Sequence, residues 1–371
     1  MKRFIGICFF LFMIYNGFSQ SFYLFAGTYT NKGSKGIYVY QFDIKNGTAK
    51  LISSTDSVVN PSYLTISNDG KFIYSVNETG GNQPGYVSAF SFDKTSGRLI
   101  FINSQSSGGD HPCYITIDKT NRWVIVGNYS GGNIAALPVN KDGSLNPHVQ
   151  LIQHNGNSIN KAGQEKAHVH ATVFSPDQRW LFTPDLGMDA VMIYPFTPTA
   201  SQPLAEKNST VVKTLPGNGP RHFVFHPTKK TAYLIEELSG TVTAYAYSNG
   251  KLKFLQRFAT HPSDYKGAIG SADIHLSPDG KFLYASNRGD ANTITIFSVR
   301  QDGKLQWKGY QSTGGVHPRN FLIDPTGYWL LVANRNTDNI VIFKRNKQTG
   351  LLRASGNQIK LSSPVFLMMI K

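Results

Sequence analysis

The chain has 371 residues, 40% of them hydrophobic, and a formal net charge of +15 at pH 7. A chain this positive could attract nucleic acid, but its lysines are scattered over turn tips and form no basic stripe interleaved with aromatic residues, which argues against that class of partner. Its two cysteines are Cys8 and Cys113. Removal of the N-terminal segment described next would leave one, and one cysteine cannot form an internal disulfide.

The first residues have the features of a secretory signal. Lys2 and Arg3 give a basic start, residues 4–15 form an apolar core, and residues 17–19 (GFS) offer a small-x-small cleavage site. This core is too short to span a bilayer, which takes about 20 residues, so a retained anchor is the less favoured alternative. We predict a signal peptide at residues 1–19, export to the periplasm or the medium, and no stable insertion into a membrane.

From residue 61 onward one block recurs six times. In each copy an apolar alternating run, a Pro-Asp-Gly-like turn and a second apolar run follow one another, and the copies occupy residues 61–78, 112–129, 169–186, 220–237, 271–288 and 318–335. A truncated seventh copy begins at Pro364. Two further alternating runs follow the blocks. A period of about 50 residues made of short strands is typical of a β-propeller with one four-stranded blade per repeat.

The truncated seventh copy needs three more strands. Residues 22–30 (FYLFAGTYT) resemble the second strand of a block, and residues 36–43 (GIYVYQFD) resemble the third. Joining both chain ends in one blade would remove two exposed sheet edges. We therefore predict an all-β fold: a seven-bladed β-propeller of four-stranded antiparallel blades, closed by pairing of the N- and C-terminal strands, in a single domain of residues 20–371. No segment has a convincing helical period.

Two positions of the block vary strongly from blade to blade. They start the first strand and follow the second, so in an antiparallel pair they should meet at one end of the ring. The first variable position holds Ser62, Cys113, His170, Arg221, Ala272 and Arg319, and the second holds Glu78, Tyr129, Leu186, Glu237, Arg288 and Arg335. The position just before the second is nearly uniform, which indicates a shared strand-end hydrogen bond: Asn77, Asn128, Asp185, Glu236, Asn287 and Asn334. Structural needs are common to all blades, so the variable positions are the candidates for function.

Four histidines lie near the block starts. His111, His168 and His317 each fall one place before a block, and this repetition indicates a structural role, whereas His170 alone occupies the first variable position. His168 and His170 point to one face of a strand and could both bind a metal. No third ligand follows at short spacing, although a distant blade could supply one. We predict no metal site and no cofactor.

Several motifs resemble those of one enzyme family. They are GTYT (residues 27–30), Q-x-x-x-H-x-H-A (164–171), GPRHFVFHP (219–227), SPDGKFLYASNR (277–288) and HPRNFLIDPTG (317–327). The set is similar to the seven-bladed propeller lactonases, named for 6-phosphogluconolactonase, and more distantly to the fungal carboxymuconate lactonising enzymes. The resemblance covers essentially all of the chain after the signal. It implies the catalytic residues His170, Arg221, Glu237 and Arg288, and all four lie at variable positions.

We therefore predict a lactonase that opens a sugar-acid lactone, with an anionic small molecule as its substrate partner. Ring opening needs an activated water, a stabilised oxyanion and a proton donor for the ring oxygen. Our hypothesis is that Glu237 or His170 is the general base and the other supplies or relays the proton. Arg221 and Arg288 would hold the oxyanion and the phosphate or carboxylate of the substrate. The residues predicted to contact the substrate are Glu78, Tyr129, His168, Asp185, Arg319 and Arg335. An exported protein does not ordinarily meet 6-phosphogluconolactone, so the lactone's identity stays open.

Three other interpretations remain. A non-catalytic propeller would bind a glycan or a protein at the same end of the ring without turnover. A calcium-dependent propeller lactonase would lose activity with chelator, and a carboxymuconate-type cycloisomerase would use the same fold. The arginines could also be structural partners of Glu237 or Glu78, and His170 a satisfied strand-start residue. The sequence does not indicate an oligomeric state.

Overall fold

The computed structural model describes residues 21–56 and 58–371, so the predicted signal peptide lies outside the described residues. Strands dominate both ranges, and the helical element there is a short 3-10 turn, Glu206–Asn208. No helix in these ranges is long and apolar enough to cross a membrane. The prediction of an all-β fold is confirmed.

The strands follow the alternating runs of the sequence, because a period of two gives each strand one set of side chains per face. The first three are β1 (Ser21–Thr28), β2 (Ile37–Asp43) and β3 (Thr48–Ser54). Blades 1 to 3 comprise β4 (Leu64–Ile66), β5 (Phe72–Asn77), β6 (Tyr86–Asp93), β7 (Arg98–Ser106), β8 (Pro112–Ile117), β9 (Trp123–Asn128), β10 (Asn133–Pro138), β11 (Gln150–Gln153), β12 (Val173–Phe174), β13 (Trp180–Asp185), β14 (Ala190–Pro195) and β15 (Thr210–Lys213). Blades 4 to 6 comprise β16 (Pro220–Phe225), β17 (Thr231–Glu236), β18 (Thr241–Ser248), β19 (Lys251–Ala259), β20 (Ser271–Leu276), β21 (Phe282–Asn287), β22 (Thr293–Val299), β23 (Leu305–Ser312), β24 (Pro318–Ile323), β25 (Trp329–Asn334), β26 (Asn339–Arg345) and β27 (Leu352–Lys360), and the last strand is β28 (Pro364–Ile370).

The ring is closed as predicted. Six sheets are made of four consecutive strands each, and the seventh, blade 7, has the order β28-β1-β2-β3. In this blade β1 is antiparallel to β28, with Tyr23 opposite Ile370 and Leu24 opposite Met369. Both chain ends thus share one sheet, which confirms seven four-stranded antiparallel blades.

Buried apolar clusters hold neighbouring blades together. Successive residues of β1 point to opposite faces of its sheet, so Leu24 packs in a cluster with Leu331 of blade 6, whereas Phe25 packs in another with Ile73 of blade 1. Equivalent clusters join the other neighbours around the ring. Each sheet is therefore buried on both faces, which explains the dense apolar runs of the second strands.

One backbone hydrogen bond recurs at one end of all seven blades. The N–H of the second variable position donates to the carbonyl of the residue before the block, in the pairs Glu78–Asn60, Tyr129–His111, Leu186–His168, Glu237–Gly219, Arg288–Gly270, Arg335–His317 and Tyr29–Ser363, at 2.7 to 3.1 Å. The variable positions therefore meet at this end of the ring, which we call the mouth. The backbone carbonyls of His111, His168 and His317 share this contact with the other residues at the same position.

The nearly uniform position also has the predicted hydrogen-bonding role. Asn128 donates from Nδ2 to the carbonyl of Ser107 at 2.8 Å, and Asn334 donates to the carbonyl of Thr313 at 3.1 Å. In blade 4 the same place is taken by Glu236, whose carboxylate accepts hydrogen bonds from threonines 241 and 243. These side chains fasten the strand ends that carry the mouth residues.

The closing blade approaches blade 1 closely at Gly27. A Cβ added there would lie 2.2 Å from the carbonyl oxygen of Pro61 and 2.7 Å from Cδ1 of Leu64. We expect Gly27→Ala to lower the free energy of unfolding by about 1–3 kcal/mol, because overpacking forces the two blades apart. The urea midpoint measures this. Gly163→Ala is the matched control, since a Cβ there meets nothing within 4 Å; equal midpoints for both variants would contradict the close approach.

Candidate active site

An ionic cluster of three predicted catalytic residues lies at the mouth. Arg221 belongs to the start of β16, whereas Glu237 and Arg288 follow the ends of β17 and β21. Arg221 Nε lies 2.8 Å from Glu237 Oε2, and Arg288 Nη2 lies 2.8 Å from Glu237 Oε1. The Arg221 side chain is 1% exposed and that of Glu237 is 20% exposed. Two guanidinium groups therefore share one carboxylate that remains accessible.

The contact between Arg221 and Glu237 is close but leaves bonding capacity unused. Although the two atoms are at ion-pair distance, they lack hydrogen-bond geometry, so Arg221 Nε and Glu237 Oε2 are both buried without a hydrogen-bond partner in the described part of the chain. Burial raises the pKa of Glu237, but the charges of Arg288 and Arg221 outweigh it and lower that pKa below its usual value. The carboxylate is therefore ionised at neutral pH.

The imidazole of His170 completes this cluster. Its Nε2 lies 3.9 Å from Glu237 Oε2, and its Nδ1 lies 3.7 Å from Cys113 Sγ. Burial, followed by the positive charge of Arg221, holds the pKa of His170 well below its usual value of 6.5. At neutral pH the ring is therefore uncharged and can accept a proton.

Tyr129 and His168 form the wall beside His170. The Tyr129 ring stacks on His168 with 4.4 Å between centroids and contacts His170 edge-on at 5.3 Å. His168 is itself held by the carbonyl of Tyr129 at 3.0 Å and by Glu165 at 3.2 Å. Tyr129 thus lies between His168 and His170, and the His168 ring is already engaged on both nitrogens.

A second cationic group lies at the mouth around Tyr29. The Tyr29 hydroxyl donates to the carboxylate of Glu78, with 2.9 Å to either oxygen. Arg319 Nη2 lies 3.4 Å from Glu78 Oε2. The guanidinium of Arg335 lies over the Tyr29 ring at 4.7 Å, and that of Arg319 lies at 5.5 Å. Cation–π contact leaves the N–H groups of a guanidinium available to other ligands.

His317 also faces this group. Its Nε2 is buried and has no hydrogen-bond partner in residues 21–56 and 58–371. Burial and then the charges of Arg288, Arg335 and Arg319 lower its pKa to about 3, so this ring is neutral as well. Besides its backbone role, His317 thus presents a free ring nitrogen among the arginines.

Asp185 is placed differently from the other predicted substrate-binding residues. Its side chain is fully buried and accepts hydrogen bonds from His154 Nδ1 and from the backbone N–H of His168, each at 2.8 Å. A third hydrogen bond comes from the N–H of Met188 at 3.1 Å. These contacts fix the strand ends of blade 3, as the nearly uniform position does elsewhere.

Sequence reasoning missed Tyr29, although a signal was present. Tyr29 follows the second strand of blade 7 and is that blade's counterpart of Glu78 and Glu237, so extending the block alignment to the closing blade would have found it. Among residues 21–56 and 58–371, no group of three His, Cys, Asp or Glu side chains is arranged to hold a metal ion.

Comparison with known proteins identifies relatives along nearly the whole chain. A family model described as lactonase, 7-bladed beta-propeller, matches residues 23–369. A 6-phosphogluconolactonase of Formosa agariphila is 41% identical over 93% of this chain and 99% of its own length. The crystal structure of a putative 6-phosphogluconolactonase of Bacteroides fragilis superposes with a TM-score of 0.90 at 42% identity, covering 95% of this chain and 98% of that one.

The structure of a periplasmic gluconolactonase of Pseudomonas aeruginosa is also similar, with a TM-score of 0.90 and 39% identity over 95% of this chain and 99% of that chain. The match covers all seven blades rather than one shared motif. Such identity over nearly the full length of each relative confirms the resemblance that the sequence motifs suggested. The chain belongs to the seven-bladed β-propeller lactonase family.

Proposed function

We propose that this propeller lactonase hydrolyses an anionic sugar-acid lactone at the mouth of its ring. The observation that supports this most directly is the convergence of Arg221 Nε, Glu237 Oε2 and His170 Nε2. The first two are buried without a hydrogen-bond partner in the described residues, and the third lies 3.9 Å from the second. Buried polar groups in folded proteins are usually satisfied, so unused capacity in one cluster favours a ligand-binding role.

In the proposed reaction His170 is the general base. Its Nε2 takes a proton from a water as the water oxygen attacks the lactone carbonyl, and the resulting imidazolium returns that proton to the ring oxygen as the carbon–oxygen bond breaks. The products are a carboxylic acid, which ionises, and an alcohol on one open chain. No further reactant is needed.

Glu237 is less suited to the role of base. Both of its oxygens lie against guanidinium groups, which lower its pKa and hence its affinity for a proton. Its carboxylate instead holds Arg221 and Arg288 in place and can stabilise the imidazolium that forms on His170. We assign Glu237 this supporting electrostatic role.

Arg221 and Arg288 are the proposed oxyanion ligands. Fixed positive donors in a partly dry site stabilise charge as it develops on the carbonyl oxygen, and this is commonly the largest contribution to catalysis. Arg221 is 1% exposed, so its charge is poorly screened by water. Arg288 lies on the opposite carboxylate oxygen and is 10% exposed.

The anionic group of the substrate is assigned to the Tyr29 side of the mouth. The Tyr29 group and the ionic cluster together contain four arginines but only two carboxylates, those of Glu78 and Glu237. The excess positive charge is available to an anion. Arg335 has no ion-pair partner among the described residues, and its guanidinium fork suits a phosphate or carboxylate. Tyr129 and His168 would border the ring of the lactone.

We further propose that the lactone is met outside the cytoplasm. The predicted signal peptide supports export, and one structural neighbour is named as a periplasmic gluconolactonase. This favours a sugar-acid lactone available in the periplasm or medium.

The first test is a panel of phosphorylated, carboxylated and neutral sugar lactones, with acid release followed at constant pH. We expect turnover that is unaffected by chelator, and Arg221→Lys should lower kcat/KM by about 10²–10³-fold, because an ammonium cannot replace the paired donors. Arg179→Lys is the matched control, since the Arg179 side chain is 61% exposed and pairs with Asp177, which is not part of the cluster. No hydrolysis of any lactone by the wild type, or equal activity of both variants, would contradict the proposal.

Arg335→Gln tests the anionic part of the substrate. We expect KM to rise about 10- to 100-fold for a phosphorylated or carboxylated lactone, because a charged hydrogen bond worth about 1.5–3 kcal/mol is lost. For the matching neutral lactone KM should stay unchanged. Equal effects on charged and neutral substrates would argue against an anion site at Arg335.

The pH dependence tests His170 as base. The base must be neutral, and the pKa of His170 is held well below 6.5, so activity should persist as the pH falls through 6.5 and disappear only at lower pH. Glu237 must be ionised, and its pKa is also lowered, so its protonation reduces activity on the same acidic side of the pH profile. The log of kcat/KM against pH, corrected for hydroxide-catalysed hydrolysis, measures this. An acid limb centred at or above pH 6.5 would contradict the assignment.

A further inference from the structure

Beneath the ionic cluster lies a second polar network that the proposed reaction does not use. His222 Nδ1 lies 2.7 Å from Asp273 Oδ1, and His275 Nε2 lies 2.9 Å from Asp273 Oδ2. Asn320 donates from Nδ2 to Asp273 Oδ2. His222, Asp273 and Asn320 occupy the place after the first variable position in three successive blades, so the network links three neighbouring blades.

Asp273 determines which ring nitrogen of His222 carries the proton. Burial raises the Asp273 pKa, but the charge of His275 and the hydrogen bonds from His222 and His275 outweigh it and lower that pKa, so the carboxylate is ionised. Burial and the charge of Arg221 lower the pKa of His222 to about 4. A neutral His222 beside an ionised acceptor must carry its proton on Nδ1, which leaves Nε2 as a hydrogen-bond acceptor.

The Nε2 acceptor of His222 is in contact with Arg221. Arg221 Nη1 lies 3.2 Å from His222 Nε2 and also donates to the carbonyl of Ala272. With both hydrogens of Nη1 directed in this way, the plane of the guanidinium is fixed, and so is the direction of Nε beside Glu237. The opposite tautomer of His222 would point an N–H at the guanidinium and displace it.

We propose that Asp273 is a positioning residue: it holds His222 in the Nδ1-protonated tautomer, and His222 in turn orients Arg221 at the mouth. As an account of catalysis this rests on the proposed function, because Arg221 is its oxyanion ligand. In this proposal Arg221 alone of the network contacts the substrate, and Asp273 and His222 act through it.

Asp273→Asn tests the tautomer at nearly constant volume. Oδ2 of Asp273 faces three donors, from His275, Asn320 and the N–H of Phe321, whereas Oδ1 faces two, from His222 and the N–H of Ile274. An asparagine would therefore direct its oxygen to the three donors and its NH₂ group toward His222. His222 should then carry its proton on Nε2 and repel Arg221. We expect kcat to fall about 10²-fold with a smaller change in KM, since the lost contact acts mainly in the transition state.

A double-mutant cycle separates positioning from structural support. In a His222→Leu background Asp273→Asn should lower kcat little further, because its effect passes through His222. His222→Gln should retain most activity, since its amide oxygen can accept from Arg221 while its NH₂ donates to Asp273. If Asp273→Asn costs the same factor in both backgrounds, or leaves kcat unchanged, the proposal is wrong.

Ring-nitrogen NMR shifts of ¹⁵N-histidine-labelled protein provide a readout independent of turnover. The His222 signals, assigned by their loss in His222→Gln, should show Nδ1 protonation in the wild type and Nε2 protonation in Asp273→Asn. Nε2 protonation in the wild type would overturn the inference. Absence of lactone turnover by the wild type would instead count against the proposed function, and the tautomer measurement would still decide the role of Asp273.

Discussion

The architecture depends on the pairing of β28 with β1. This pairing joins residues more than 300 apart in sequence and completes the one blade that has no continuous segment of its own. Without this pairing the ring would have two unpaired strands at its gap. The sheet that carries Leu24 and Phe25, and packs them against the two neighbouring blades, would be incomplete. The same pairing brings Tyr29 to the mouth beside Glu78. Closure of the ring therefore also determines the position of Tyr29 at the mouth.

A repeated backbone contact allows the mouth to vary. In all seven blades the N–H of the second variable position is bonded to the carbonyl before the block, so the chain path does not depend on the side chain there. Glu237 and Arg288 can therefore occupy equivalent places in neighbouring blades and meet at 2.8 Å. A symmetric scaffold thus carries an asymmetric charge arrangement, which is what recognition of one small molecule requires.

The repeat explains why much of this could be predicted from sequence. Blade number, closure and the meeting of the variable positions all follow from periodicity, because each blade obeys the same local rules. The partners within the mouth do not follow, since periodicity does not specify side-chain directions across the ring. Asp185 illustrates this: its carboxylate turns to His154, which lies in a loop outside the block. The link from Arg221 to Asp273 through His222 crosses between blades. His222 and Asp273 stand at equivalent repeat positions, but the repeat does not show that their side chains are bonded.

The sharing of Glu237 by two arginines has a consequence for the proposed reaction. A buried guanidinium such as Arg221 needs a counter-charge, yet a permanent carboxylate partner weakens its attraction for an oxyanion. In the proposed reaction His170 would resolve this conflict, because the proton it accepts creates an imidazolium 3.9 Å from Glu237 Oε2 at the moment when negative charge forms on the lactone oxygen. The Glu237 carboxylate is then paired with the imidazolium, and the two arginines are paired with the oxyanion. Total charge in the cluster stays constant while its pairs exchange, so the transition state is stabilised without an isolated charge in a poorly solvated site.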